Sequence, residues 1–208
     1  MNLALRLQLI ALAMIAVLAG LVGVHAMQRA SGTEVVIPME PVDPRDILLG
    51  HYVVIRTPAH TLDLSAFPDA PDGENAWSEG ETVYVSLSQG QDGLWRPSGV
   101  ARRGDALEPP LMRGRIENAY RRYDYTDWEP GEDGKPGRGP QRIEGTGRTE
   151  LQVKYNLERY YADPQTAKAL EDMRRENRLA LIVSLGEDGT AVIKGLVING
   201  EPQYDTLF

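Results

Sequence analysis

The chain of 208 residues contains no cysteine. That absence removes a disulfide framework, a thiol nucleophile, a cysteine-borne lipid anchor and any Cys-ligated metal from consideration. It is compatible with an oxidising compartment and does not by itself point to one. Histidine is scarce as well, with only His25, His51 and His60. Phosphate-binding loops are missing. Gly134-Lys135 runs into Pro136 where Ser or Thr is required, and Gly145-Thr146-Gly147 has no third glycine three positions on. Positive charge is in deficit, 22 Lys+Arg against 30 Asp+Glu, a formal net of −8. An acidic surface repels phosphate backbones, so no nucleic-acid partner is expected. One basic cluster, Arg113, Arg115, Arg121 and Arg122 with Tyr120, Tyr123 and Tyr125 between them, has the composition of a nucleic-acid patch. Against the net charge it reads better as a strand with a solvated face.

What the sequence does have is one long apolar run. Residues 7–27 carry no formal charge apart from a protonatable His25. As a helix this run spans about 31 Å, which matches a hydrocarbon core of roughly 30 Å. Arg6 and the α-amino group precede it, so the positive-inside rule predicts a cytoplasmic stub over 1–6, an anchor over 7–27 and everything beyond outside the cytoplasm. The rival reading is a signal peptide cleaved after Ala26, since Val24-His25-Ala26 offers small residues at the required places. The length of the run favours the anchor, because a signal core is about 7–15 residues. Arg6 is the one charged side chain before residue 28, so the remainder carries 21 Lys+Arg against 30 Asp+Glu.

Residues 28–40 read as an extended tether, and 41–208 as one domain large enough for its own core. Asp43-Pro44 has the chemistry of a helix start, Asp as N-cap and Pro at the first turn, with Gly50 closing a single turn. Tyr52 to Ile55, β-branched or aromatic, predict a strand. Pro58 to Gly80 reads as a loop anchored by Leu62, Leu64, Phe67 and Trp77. Strands are expected at 82–87, 94–96 (across the Asp92-Gly93 turn), 112–125, 179–185 and 190–198, with 150–161 strand and turn and Asn199-Gly200 a further turn. Gly195 predicts a bulge or a close backbone approach. Residues 127–147 hold six Gly and three Pro and few apolar groups, which predicts a flexible insertion. Asp163-Pro164 opens a late helix, with Ala167, Leu170 and Met173 on one face and Asn177 at its end. Val85-Ser86-Leu87 before Asp92-Gly93 and Val183-Ser184-Leu185 before Asp188-Gly189 share a form, either an internal duplication or two common hairpins. The expected fold class is mainly β, a β-rich α+β domain with one late helix, behind an N-terminal transmembrane helix.

The run Asp43-Pro44-Arg45-Asp46-Ile47-Leu48-Leu49-Gly50-His51-Tyr52-Val53-Val54-Ile55-Arg56 resembles the signature of the GDYxxLxY-domain family. Gly50 and Tyr52 match that motif. Ile55 stands for its Leu, His51 for its Asp and Thr57 for its final Tyr. Tyr155-Asn156-Leu157-Glu158-Arg159-Tyr160-Tyr161 is similar to a later segment of the family, and Ala191 to Gly200 to its closing strand and turn. The resemblance implies a bacterial membrane protein with an extracytoplasmic domain, and it implies neither catalytic residues nor a ligand. By association with neighbouring multi-pass membrane proteins, it implies an envelope partner of that kind. Gly50, His51, Tyr52, Ile55, Glu158, Arg159 and Tyr160 are its candidate positions.

Chemistry weighs little in the sequence. A signal-peptidase-like serine hydrolase is the alternative, since Ile37-Pro38-Met39-Glu40-Pro41 ahead of Gly50-His51-Tyr52-Val53 has a superficially similar layout. Acyl transfer needs an activated nucleophile, and its place is held by Pro38. His51 and His60 with Asp63 have no spacing that predicts a metal site, and surface or strand histidines are expected instead. Glu158-Arg159 reads as an ion pair packed among tyrosines. The expectation is a non-enzymatic envelope protein without cofactor or metal, acting by binding.

Overall fold

A computed structural model describes residues 3–40, 52–71, 73, 75–127, 139–161, 170 and 179–205 of the chain. Helix α1 runs from Leu3 to Ser31. Its stretch from Arg6 to Ser31 is long and apolar enough to cross a membrane, and none of it is buried against protein. Leu, Ala, Ile and Met favour a helix, and no proline interrupts it.

The helix does not lead into a tether. Gly32 lies against Ser184 and Leu185, where a Cβ would fall 2.7 Å from the Leu185 carbonyl oxygen. The chain then enters strand β1, Thr33–Pro38, with Val35 and Ile37 fully buried. This corrects the expected tether over 28–40. Thr-Glu-Val-Val-Ile alternates as a half-buried strand does, and the alternation extends a sheet rather than spacing a domain from the membrane.

β1 is the outer strand of a four-stranded antiparallel sheet with β9, Leu179–Leu185, β10, Ala191–Ile198, and β11, Glu201–Tyr204, in the order β1-β9-β10-β11. All seven residues of β9 are buried. The predicted irregularity at Gly195 is a register shift between Ile193 and Gly195. Asn199 and Gly200 both take positive φ, 55° and 87°, as a two-residue hairpin requires, and they turn the chain into β11.

A five-stranded sheet has the order β3-β7-β6-β4-β5. Its members are β3, Thr61–Asp63; β4, Thr82–Gln89; β5, Trp95–Ala101; β6, Leu111–Arg122; and β7, Arg148–Lys154. The loop over 58–80 thus contains an edge strand, while Leu62, Leu64 and Trp77 bury as anchors. β6 carries a register shift between Ile116 and Asn118. The hairpin of β6 and β7 continues past the sheet: Ile143 N–H donates to Asp124 O at 2.9 Å, and Tyr125 bridges to Arg142. The end of the expected insertion over 127–147 is therefore paired, and 128–138 lies outside the described residues.

A two-stranded ribbon, β2, Tyr52–Val54, with β8, Arg159–Tyr161, completes the architecture. The expected turn over 43–50 lies outside the described residues. So does the expected late helix over 163–177, except for Leu170, which is buried in the core.

Gly114 sits inside the five-stranded sheet beneath the Tyr155 ring. A Cβ there would overlap Val153 Cγ1 and lie 2.7 Å from Tyr155 Cε1. Neither neighbour is the free end of a flexible side chain, so the extra methyl overpacks the core. Gly114→Ala is expected to lower unfolding free energy by about 1–3 kcal/mol in denaturant melts, and the loss should shrink when Tyr155 is also replaced by Leu. An equal loss in both backgrounds would show that the ring does not set the requirement.

Candidate functional site around the motif ribbon

The two sequence segments that carry the family resemblance pair with each other. Tyr52 aligns with Tyr161, Val53 with Tyr160 and Val54 with Arg159. Ile55 N–H then donates to Glu158 O at 2.8 Å. Of the candidate positions, Tyr52, Ile55, Glu158, Arg159 and Tyr160 are brought together, while Gly50 and His51 lie outside the described residues. Ile55 is buried, which explains its apolar character, and Arg159 is exposed.

Tyr155 and His60 complete the site. Thr57-Pro58-Ala59-His60 forms a turn in which His60 N–H donates to Thr57 O at 2.9 Å, with Pro58 where its fixed φ suits a turn. His60 folds back so that Nδ1 accepts from Thr57 N–H at 3.0 Å, and Thr57 Oγ1 lies 2.9 Å from the same nitrogen. With Nδ1 used as an acceptor, the neutral ring carries its proton on Nε2. Nε2 points at Glu158 Oε1 from 3.6 Å, too long for a hydrogen bond, and has no such partner among the described residues. Glu158 Oε1 accepts from Tyr155 N–H at 2.7 Å. The Tyr155 ring meets the His60 ring edge-on at 5.5 Å, and its hydroxyl donates to Ala59 O at 2.9 Å. Burial pushes that hydroxyl's pKa far up, so it stays a donor.

Glu158 is half-buried, and burial alone would raise its carboxyl. The His60 imidazole and the N–H groups of Tyr155 and Glu158 outweigh burial and hold it at about 2. A cavity of about 120 Å³ opens beside it, lined by Arg56, His60, Glu117, Gln152, Lys154 and Glu158 among others.

Thr57, His60 and Glu158 stand in the order hydroxyl, imidazole, carboxylate. That is the order of an acyl-transfer relay, yet Thr57 is only 1% exposed and its backbone N–H shares the nitrogen that would act as base. The row ties a turn to a strand end. Its hydroxyl offers no approach to a substrate.

Other expectations meet different surroundings. His60 is buried, not on the surface, because the turn directs its ring inward onto Tyr155. Asp63 turns away from it, capping Ser65 N–H at 3.0 Å and pairing with Arg148 at 3.2 Å. Among the described residues no three His, Asp or Glu side chains are placed to hold a metal ion. Tyr160 reaches the other end of the ribbon, where its hydroxyl donates to Asp205 Oδ1 at 2.5 Å. Burial, then Asp205, push that hydroxyl's pKa upward. Arg29, near the end of α1, donates to Asp205 O at 2.5 Å and to Lys194 O at 2.8 Å. Sequence reasoning passed over His60 and Thr57 as partners. The signal was the Thr-Pro-Ala-His turn, whose three-residue spacing lets the imidazole return to the Thr57 N–H.

The paired motif segments belong to a β-rich domain that follows a helix long and apolar enough to cross a membrane. The family model of the GDYXXLXY protein matches residues 14–196, from within α1 to the middle of β10, and the chain belongs to that family. No curated protein and no solved structure matches it.

The carboxyl of Glu158 titrates near 4.5 when unfolded and at about 2 when folded, so the folded state binds fewer protons between those values. Its stabilisation is complete above about pH 5 and is lost as pH falls toward 2. Glu158→Gln is expected to be less stable than wild type at neutral pH and to lose less on acidification through that window. Denaturant melts with parallel pH profiles for the two proteins would contradict this.

Proposed function

We propose that the chain is a single-pass protein of the bacterial inner membrane, with its N-terminus cytoplasmic and its β-rich domain periplasmic. It acts there by binding, as an accessory to a multi-pass membrane partner, and not by catalysis. The observation that carries the reading is the helix. α1 is exposed on every side along its apolar length, yet its C-terminal end is fixed to the domain through Gly32, Arg29 and the Ser184 hydroxyl, which donates to Gln28 O at 2.9 Å. A span held in this way transmits the position of a partner in the membrane to the sheet outside. A hydrolase reading finds less support. Pro38, at the place of a nucleophile, is paired with Ala180, and Lys154 and Lys194 are engaged by Glu117 and Glu34.

Extraction of the full chain in a mild detergent is expected to bring a multi-pass membrane protein with it in constant proportion. Replacement of α1 by an unrelated apolar helix should abolish that association. Recovery of the wild type only as a free monomer, or labelling of the purified protein by a broad serine-hydrolase probe, would overturn the reading.

A further inference from the structure

The outer face of β4, β6 and β7 carries a cross-strand row that packing does not explain. Thr82 aligns with Arg115, and Arg115 aligns with Lys154. All three are exposed, so none serves the core. Two cations stand directly opposite each other, an arrangement that costs stability in a sheet. The cost is notable in a chain whose net charge is −8.

The two cations are also held in place. Lys154 Nζ pairs with Glu117. Arg115 Nε donates to Gly80 O at 2.9 Å, which fixes the plane of the guanidinium. No carboxylate pairs with Arg115 among the described residues. Arg113, one pleat away, is occupied by Asp188 at 3.1 Å and by the Thr190 hydroxyl at 3.1 Å. A cavity of about 420 Å³ lies over the row, and no carboxylate lines it. Thr82, Arg115 and Lys154 thus present a hydroxyl, a free guanidinium edge and an ammonium to one space.

We propose that this row binds an oxyanion, a carboxylate or phosphate group, between Arg115 and Lys154, with the Thr82 hydroxyl as a third donor. The guanidinium edge matches either group bidentately, and the ammonium supplies a point charge. Because Gly80 and Glu117 already fix the two cations, little side-chain freedom is lost on binding. The site gives the domain a ligand of its own, independent of any partner of α1. The oxyanion belongs either to an anionic lipid headgroup or to a soluble or polymer-borne group, and the two sources share this chemistry.

The test uses the full chain in phosphatidylcholine nanodiscs, titrated calorimetrically with inorganic phosphate and with citrate. Saturable binding of at least one of them is expected. Arg115→Gln and Lys154→Gln should each weaken it about tenfold or more, the scale of a lost hydrogen bond to a charged group. Thr82→Val, which changes no charge, should weaken it several-fold. Arg103→Gln should leave it unchanged, since Arg103 pairs with Asp105 away from the row. Thermal melts identify any variant that fails to fold, and the remaining variants then decide. If the source is a headgroup, added phosphatidylglycerol competes and weakens apparent phosphate affinity. If it is a soluble group, that affinity is unchanged. Both results support the site. Absence of saturable binding by the wild type, or binding by Arg115→Gln and Lys154→Gln as tight as that of the wild type, would overturn it.

Discussion

Tyr155 lies inside the domain, so its ring and its hydroxyl must both be satisfied there, and several segments are shaped by that requirement. A buried phenol contributes a large apolar area only if its O–H finds an acceptor. The acceptor is Ala59 O, which is aimed inward by the turn from Thr57 to His60. The turn in turn brings the His60 ring against the phenol edge and its Nε2 toward Glu158. On the other side the ring takes the space of a missing side chain at Gly114. Tyr155 N–H anchors the Glu158 carboxylate, and Glu158 O closes the end of the β2–β8 ribbon. The places of Ile55, Thr57 and Glu158 are thereby accounted for by the packing of one side chain and the pairing it sets up.

The same ribbon reaches toward α1. Tyr160 and Arg29 meet at Asp205, and Lys194 and Tyr204 both bond to Glu34 at the start of β1, at 2.6 and 2.7 Å. The four-stranded sheet is therefore joined directly to α1, with β1 following the helix after a single glycine. In the proposed reading this join matters more than any single site residue. A domain on a loose tether would sample its surroundings freely, whereas one fixed to its span holds a set orientation to whatever the span binds.

Much of this was legible in the sequence. The apolar helix, the hairpins at Asp92-Gly93 and Asn199-Gly200 and the irregularity at Gly195 follow from local chemistry, which composition and spacing record directly. Strand β1 was missed because Thr33 to Pro38 follows the apolar run at once, and position suggested a tether more strongly than Val35, Val36 and Ile37 suggested a sheet. β3 was missed because three residues are too few for a period to register. The candidate site was half legible. The resemblance identified Ile55, Glu158 and Tyr160, but their meeting depends on a pairing across about a hundred residues that no local pattern encodes. The burial of His60 depends on Tyr155 and on Gly114, each on a different strand or loop. The basic cluster containing Arg115 was read as a solvated face against the net charge, and nothing local to β6 tells that Lys154 stands beside Arg115 on β7.

The central claim, an anchored helix fixed to an extracytoplasmic domain, is tested most directly by topology. The chain has no cysteine, so single substitutions give unambiguous labels. Arg6→Cys and Gly93→Cys, placed before the helix and at the β4–β5 turn, can be treated in spheroplasts with a membrane-impermeant maleimide. The account predicts that the cysteine at position 93 is labelled in intact spheroplasts and remains membrane-bound. The one at position 6 should be labelled only after permeabilisation. Labelling at position 6 from outside, or release of the labelled domain as a soluble fragment, would contradict it.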